Sequence, residues 1–259
     1  MLETISVFAL GLIFGSFINV LGLRWNSGLG FSGRSFCATC GKRLKWWELI
    51  PLLSFILLKA RCSKCRTKIS WLYPLVEVWT GVLFVSIYLA IDPSGSLSFF
   101  YYLIITTVFC IYTAIGIYDF RHKIIPDNLV YLSIILAFSS RFLIDSNYLD
   151  WLSGPIAFTF LGLIWLLTKG KALGFGDAKL GLSIGFLLGG SMGLSALALA
   201  FWIGAVMGLL YILFMRIYPL FGSGKKITMK SEIPFAPFMI LGAWLALVFQ
   251  VNIFNVPPF

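Results

Sequence analysis

With 59% apolar and 12% charged residues in a chain of 259, and a mean hydropathy of +0.95, the composition excludes a water-soluble globular fold. It reads as an all-α polytopic membrane protein. The formal net charge of +10 would suit nucleic acid, but it follows the loops and does not gather on one face, so nucleic acid is not an expected partner.

A span needs about 20 apolar residues. About eight transmembrane helices are predicted, over 2–23, 72–91, 99–118, 128–144, 151–167, 178–190, 194–217 and 234–253. The stretch from 178 to 217 is too long for one helix, and Gly189-Gly190-Ser191 is its natural break. The first half of that stretch is short and is expected to cross only in part. The first segment reads as an anchor, not a cleavable signal, because the only charge before its apolar run is Glu3. VNIFNVPPF at the C-terminus reads as a tail.

Ten of the twenty Lys and Arg residues lie between Arg24 and Lys68. Arg121 and Lys123 follow the third span, Lys169, Lys171 and Lys179 flank the start of the sixth, and Arg216, Lys225, Lys226 and Lys230 fall between the last two. The opposite loops carry Glu3, Asp92, Asp145 and Asp150, and only Arg141 departs from the pattern. Basic loops stay in the cytoplasm. This predicts both termini outside and the long loop, Asp119 and Asp177 at the cytoplasmic face, with membrane lipid as the surrounding partner.

Residues 24–71 form the only sizeable soluble segment. They hold Cys37-Ala-Thr-Cys40 and Cys62-Ser-Lys-Cys65, 21 residues apart. Two CxxC knuckles at this spacing suit a tetrahedral four-cysteine zinc site, and a loop with so little core would need the metal for its structure. Two disulfides or four free thiols are the alternatives, the first disfavoured in the cytosol. Cys110 lies inside the third span and reads as a small apolar filler. Trp46, Trp47 and Trp71 fit an interfacial belt.

Two aspartates sit where a membrane protein tolerates them least, Asp119 in IYDFRHKIIPD and Asp177 in GFGDAKLG. Two carboxylates brought together can share one proton, giving an acid and a base from identical groups. Pro126 stops helix propagation, and Asp127 or Asn128 can cap the next helix. Asp177 begins a stripe with Gly181, Gly185 and Gly189, so it is expected to face the bundle interior. A helix cap is the plainer role for Asp177. Gly174 and Gly176 give a backbone that an extended peptide can approach. With Lys179 and Pro126 they are the candidates for substrate and backbone support. Gly11/Gly15 and Gly204/Gly208 read as packing pairs, and His122 as a solvated neighbour of Asp119. There is no phosphate loop, Ser/His/Asp grouping or HExxH.

Nearly end to end, the chain resembles the type IV prepilin peptidases, bifunctional leader peptidases and N-methyltransferases of the GxGD aspartyl-protease type. The resemblance rests on Gly15-Ser16-Phe17-Ile18-Asn19-Val20, the double CxxC, WWELIPLLSF between the knuckles, and ISWLYPLVE ending at Glu77. It continues through Asp119 with Pro126, GFGDAKL with Asp177, and Pro234-Phe235-Ala236-Pro237 after Glu232. Three positions depart from the family pattern. Arg24-Trp25-Asn26 replaces a basic-Leu-Pro, and Ala60 and Ala236 stand where glycines are usual. These touch the methyltransferase side and a packing motif, not the aspartates.

The resemblance implies Asp119 and Asp177 as catalytic residues, prepilins or pseudopilins as substrates, S-adenosylmethionine as methyl donor, and a bacterial inner membrane. It also implies a functional division at residue 71. Residues 1–71 would hold the first helix and the methyltransferase-associated loop, and 72–259 the peptidase bundle. The oligomeric state and the donor-binding residues are left open. The alternatives are a peptidase without methyltransferase activity and an ion-coupled transporter using the two aspartates as relays.

Overall fold

The computed structural model describes residues 2–25, 35–144, 147–217 and 234–254. Asn26, Arg34, Asp145, Lys225, Lys226, Lys230, Glu232 and the end of the C-terminal tail lie outside them. The described residues are helical, with no β-strand and only two isolated antiparallel bridges, Phe36–Arg43 and Arg61–Lys68. The helices are α1 (Leu2–Arg24), α2 (Leu53–Leu57), α3 (Leu72–Ile91), α4 (Ser96–His122), α5 (Asp127–Ser140), α6 (Tyr148–Thr168), α7 (Phe175–Leu188), α8 (Gly190–Ile217) and α9 (Ala236–Val248).

Five of them, α1, α3, α4, α6 and α8, are long and apolar enough to cross a membrane. The other three expected spans are shorter. α5 and α7 have 14 residues each and α9 has 13. At about 1.5 Å per residue such helices reach about 21 Å, short of a hydrocarbon core of about 30 Å. Their ends have local causes. α5 starts after Pro126 and tightens into a 3₁₀ turn over Arg141–Leu143. α7 stops at Gly189, whose φ of +82° suits glycine. The break expected at Gly189-Gly190-Ser191 is therefore present.

The chain forms two compact units, Met1–Tyr118 and Asp119–Phe259. In the first, α1 and α3 pack closely. A Cβ on Gly11 would lie 2.7 Å from the Thr80 carbonyl, and one on Gly15 would lie 2.8 Å from Glu77 Cα. The interior of α4, with Ile105, Phe109 and Tyr112, is fully buried.

In the second unit the glycine stripe of α7 faces α6. A Cβ on Gly181 would lie 2.5 Å from Leu161, and one on Gly185 would lie 2.6 Å from Gly154 Cα. The expectation that this face looks into the bundle holds. α5 and α7 run parallel. Lys179 of α7 meets Asp127 of α5 at 2.7 Å, and the Ser183 hydroxyl meets that of Ser133 at 2.9 Å. Beyond the end of α5, Arg141 donates to the carbonyls of Phe186 and Leu187. The one cation that broke the charge pattern is thus buried as a cap on the C-terminal carbonyls of α7.

Candidate active site and candidate metal centre

Asp119 closes α4. The Lys123 amide donates to the Asp119 carbonyl at 2.7 Å, and Lys123 turns the chain with φ +54°. The next residues lead through Ile125 to Pro126, which is the N-cap of α5 in an extended conformation. Asp127 is the first helical residue and makes no side-chain cap, so its expected capping role is replaced by the ion pair with Lys179. Asp119 is 5% exposed. It accepts from the backbone of Ala236 at the start of α9, and its Oδ2 has no hydrogen-bond partner among the described residues.

Asp177 is the third residue of α7 and is also buried. Its Oδ2 accepts from the Gly174 amide at 2.9 Å, so it does cap the helix as the plainer reading held. That bond leaves the carboxylate with acceptor capacity to spare. It lies close enough to Asp119 for the two charges to repel.

Local packing brings the two carboxylates together. A Cβ on Gly176 would lie 2.9 Å from Ile125, so this glycine lets the Asp119 hairpin press against the start of α7. A Cβ on Gly174 would lie 3.3 Å from Asp177 Oδ2, so this one leaves room for the carboxylate. Lys179, one turn past Gly176, spans to Asp127 and lies over the rings of Tyr131 and Phe175 at 5.0 and 5.3 Å. His122 is exposed.

Sequence reasoning missed the Ala236 amide, having read Pro234-Phe235-Ala236-Pro237 as a packing motif. The usable signal was a proline in the first turn of a helix, where backbone N–H groups have no partner within the helix and attract a carboxylate. It also gave Lys179 no partner.

Asp127 is 58% exposed at its side chain, so its pair with Lys179 is solvent-screened and worth about 0–1 kcal/mol. Asp127→Asn, which still offers an acceptor, should change whatever chemistry the two buried aspartates carry less than about threefold. Lys179→Met removes both the ion pair and two ring contacts and should cost more. A kinetic comparison of the two variants checks the order.

In the first unit the two knuckles are the same turn written twice. Cys37 and Cys62 donate their amides to Lys42 and Thr67, both at 2.9 Å. Gly41 and Arg66 return amides to Cys37 and Cys62, both with left-handed φ, +67° and +59°. Leu44 and Ile69 close the turns on Ser35 and Ala60.

The four sulfurs lie within 4.8 Å of one another, with Cys37–Cys65 at 3.7 Å and Cys40–Cys62 at 4.0 Å. A tetrahedral zinc with bonds of about 2.3 Å would space its sulfurs about 3.8 Å apart, so the set could hold such an ion. No disulfide joins any of them. Cys65 and Cys40 differ. The Thr67 hydroxyl and amide pull Cys65 down to about 6. Cys40, though the Lys42 amide favours its thiolate, is pushed up to about 11 by burial and the neighbouring sulfurs. Crowded thiolates oppose one another, and a divalent cation would relieve this.

Glu48 ties the knuckles together, a role the sequence did not suggest. It accepts from Lys42 at 2.7 Å, from Ser63, and from the Lys45 amide at 2.8 Å. The Lys42 and Ser63 hydrogen bonds hold its carboxyl down at about 2.

A family model of the bacterial peptidase A24 N-terminal domain matches residues 9–91, and that of the type IV leader peptidase family matches 104–213. A prepilin leader peptidase/N-methyltransferase of Bacillus subtilis (strain 168) is 31% identical over 256 residues, covering 96% of this chain and 95% of its own length. The chain belongs to the type IV leader peptidase family. Family members of the same description from Legionella pneumophila and Pseudomonas putida are each 29% identical, over 234 and 232 residues. They cover 87% and 85% of this chain, and 75% and 73% of their own lengths. No solved structure matches the chain.

Proposed function

We infer that the protein removes the short leader of prepilin-like substrates and N-methylates the residue so exposed, the two activities for which its relatives are named. The observation that carries this reading is the pair of buried carboxylates, Asp119 and Asp177, held together where α5 and α7 begin. One carboxylate, ionised, takes a proton from the attacking water. The other, protonated, donates to the scissile carbonyl oxygen. Asp119 Oδ2, buried and unpartnered, suits the water-facing role. Gly174, Gly176, Lys179 and Pro126 serve this pair by setting the two backbone turns that carry it. The transporter reading does not account for the family match.

Zinc is proposed as the structural ion of Cys37, Cys40, Cys62 and Cys65, and S-adenosylmethionine as the methyl donor. The cysteine-bearing segment up to residue 71 is assigned to methyl transfer, and the remainder to peptide cleavage. Eight membrane-embedded segments are proposed, the three short helices α5, α7 and α9 among them. Both termini then face outside. The aspartates meet their substrates, pilins or the pseudopilins of secretion or competence, at the cytoplasmic face of a bacterial inner membrane.

Purified protein incubated with a prepilin and the methyl donor should give a product lighter by the leader and heavier by one methyl group. Mass spectrometry reads both steps separately. An intact substrate would overturn the protease, and a cleaved but unmethylated product the transferase.

The pair should also give a bell-shaped pH–rate profile. At low pH both groups are protonated and no base remains. Activity rises as the first proton leaves and falls as the second leaves, because no acid remains. A single sigmoid in detergent, with the fold intact across the range, would separate the two groups.

A further inference from the structure

The short helix α2 lies in the long polar loop, yet Leu53, Ile56 and Leu57 point outward, the last two 69% and 77% exposed. Five residues do not make a stable helix alone, so neighbours must hold it. Two contacts do so. The Leu52 amide donates to Glu77 Oε2 at 2.9 Å, and Phe55 packs edge-on against Trp71 at 4.9 Å. Glu77 is five residues inside α3, about 7 Å below the start of that helix. The loop therefore descends alongside a membrane-spanning helix and does not stand clear of it.

We propose that α2 is a lipid-seated wedge, inserted into the cytoplasmic leaflet beside α3. Its backbone is prepared for a medium without water. The amides of Leu52, Leu53, Ser54, Ile56, Leu58, Lys59 and Ala60 are all bonded within the protein. This gives Glu77, a carboxylate in a spanning helix that also meets the Ser16 hydroxyl, a task at the loop. It satisfies the Leu52 amide, which would have no water to bind at that depth. Leu52 takes a strained φ of +59° to present the amide.

The flanks match a lipid interface. Exposed Trp46 and Trp71 bracket the wedge, and the exposed cations Lys45 and Lys59 stand where anionic headgroups would lie. Leu75, in the first turn of α3, is likewise exposed.

The test places a keto amino acid at Ile56 of the full chain, attaches a nitroxide to it, and reconstitutes the protein in nanodiscs containing anionic phosphatidylglycerol. Collisions with oxygen, which concentrates in lipid, are compared with those of a water-soluble nickel chelate. Oxygen should dominate at position 56, and the nickel chelate at the same label on Lys64 of the second knuckle. Circular dichroism confirms that labelling leaves the helix content unchanged, and a label at Leu57 gives an independent reading. Dominance of the nickel chelate at 56 and 57 would overturn the proposal. So would labels that face water until a prepilin is added, since that would make the surface a substrate dock.

Discussion

Replacing either Asp119 or Asp177 with asparagine should abolish leader cleavage, with a loss of at least about 100-fold and up to about 10⁴-fold, the range that positioned acid or base groups supply. The fold should survive. Asparagine at 177 still accepts from the Gly174 amide, and asparagine at 119 can accept from the Ala236 backbone. Neither can exchange a proton. Gel-based cleavage of a prepilin by each purified variant, alongside its thermal unfolding, separates lost chemistry from lost structure. Substantial cleavage by either stable variant would reject the pair as catalytic. The double variant should be no worse than the worse single one, because the groups act as a unit.

Exchanging Cys37 and Cys40 for serine should release about one metal ion per chain and loosen the cysteine-bearing segment. Structural zinc contributes about 10–16 kcal/mol in small domains, far more than one ion pair. The Lys42–Glu48–Ser63 cluster cannot replace it. Elemental analysis and limited proteolysis read the two effects. Wild-type protein without bound zinc, or with a disulfide joining the knuckles, would overturn the assignment. The cysteines and the aspartates belong to different compact units, so cleavage should suffer less than methyl transfer.

What the sequence made legible was chemistry fixed by spacing along the chain. The knuckles could be read because both cysteines of each lie on one turn, and the helix break because Gly189-Gly190 is local. The burial of Asp177 could be read because a four-residue glycine stripe marks a packed face. What stayed hidden was long-range pairing. Nothing near Asp119 points to the Ala236 amide, and nothing near Glu48 points to Ser63. Arg141 looked like an exception to a charge rule because its partners, two backbone carbonyls, leave no trace in composition. The shortness of α7 was legible from that break, but the lengths of α5 and α9 were not. Hydropathy measures how apolar a stretch is, but hydrogen bonds and a glycine with positive φ decide where its helix stops.

The equal lengths of α5 and α7 have a mechanical consequence. The two are joined in the middle by Ser133–Ser183 and at their far ends by the grip of Arg141 on the last carbonyls of α7, with the weak, screened Lys179–Asp127 pair at their starts. Neither can slide along its axis without breaking all three. The Asp119 hairpin leads directly into one helix and Asp177 rides on the other, so a change in their spacing by sliding would first have to break the Ser133–Ser183 bond and the hold of Arg141.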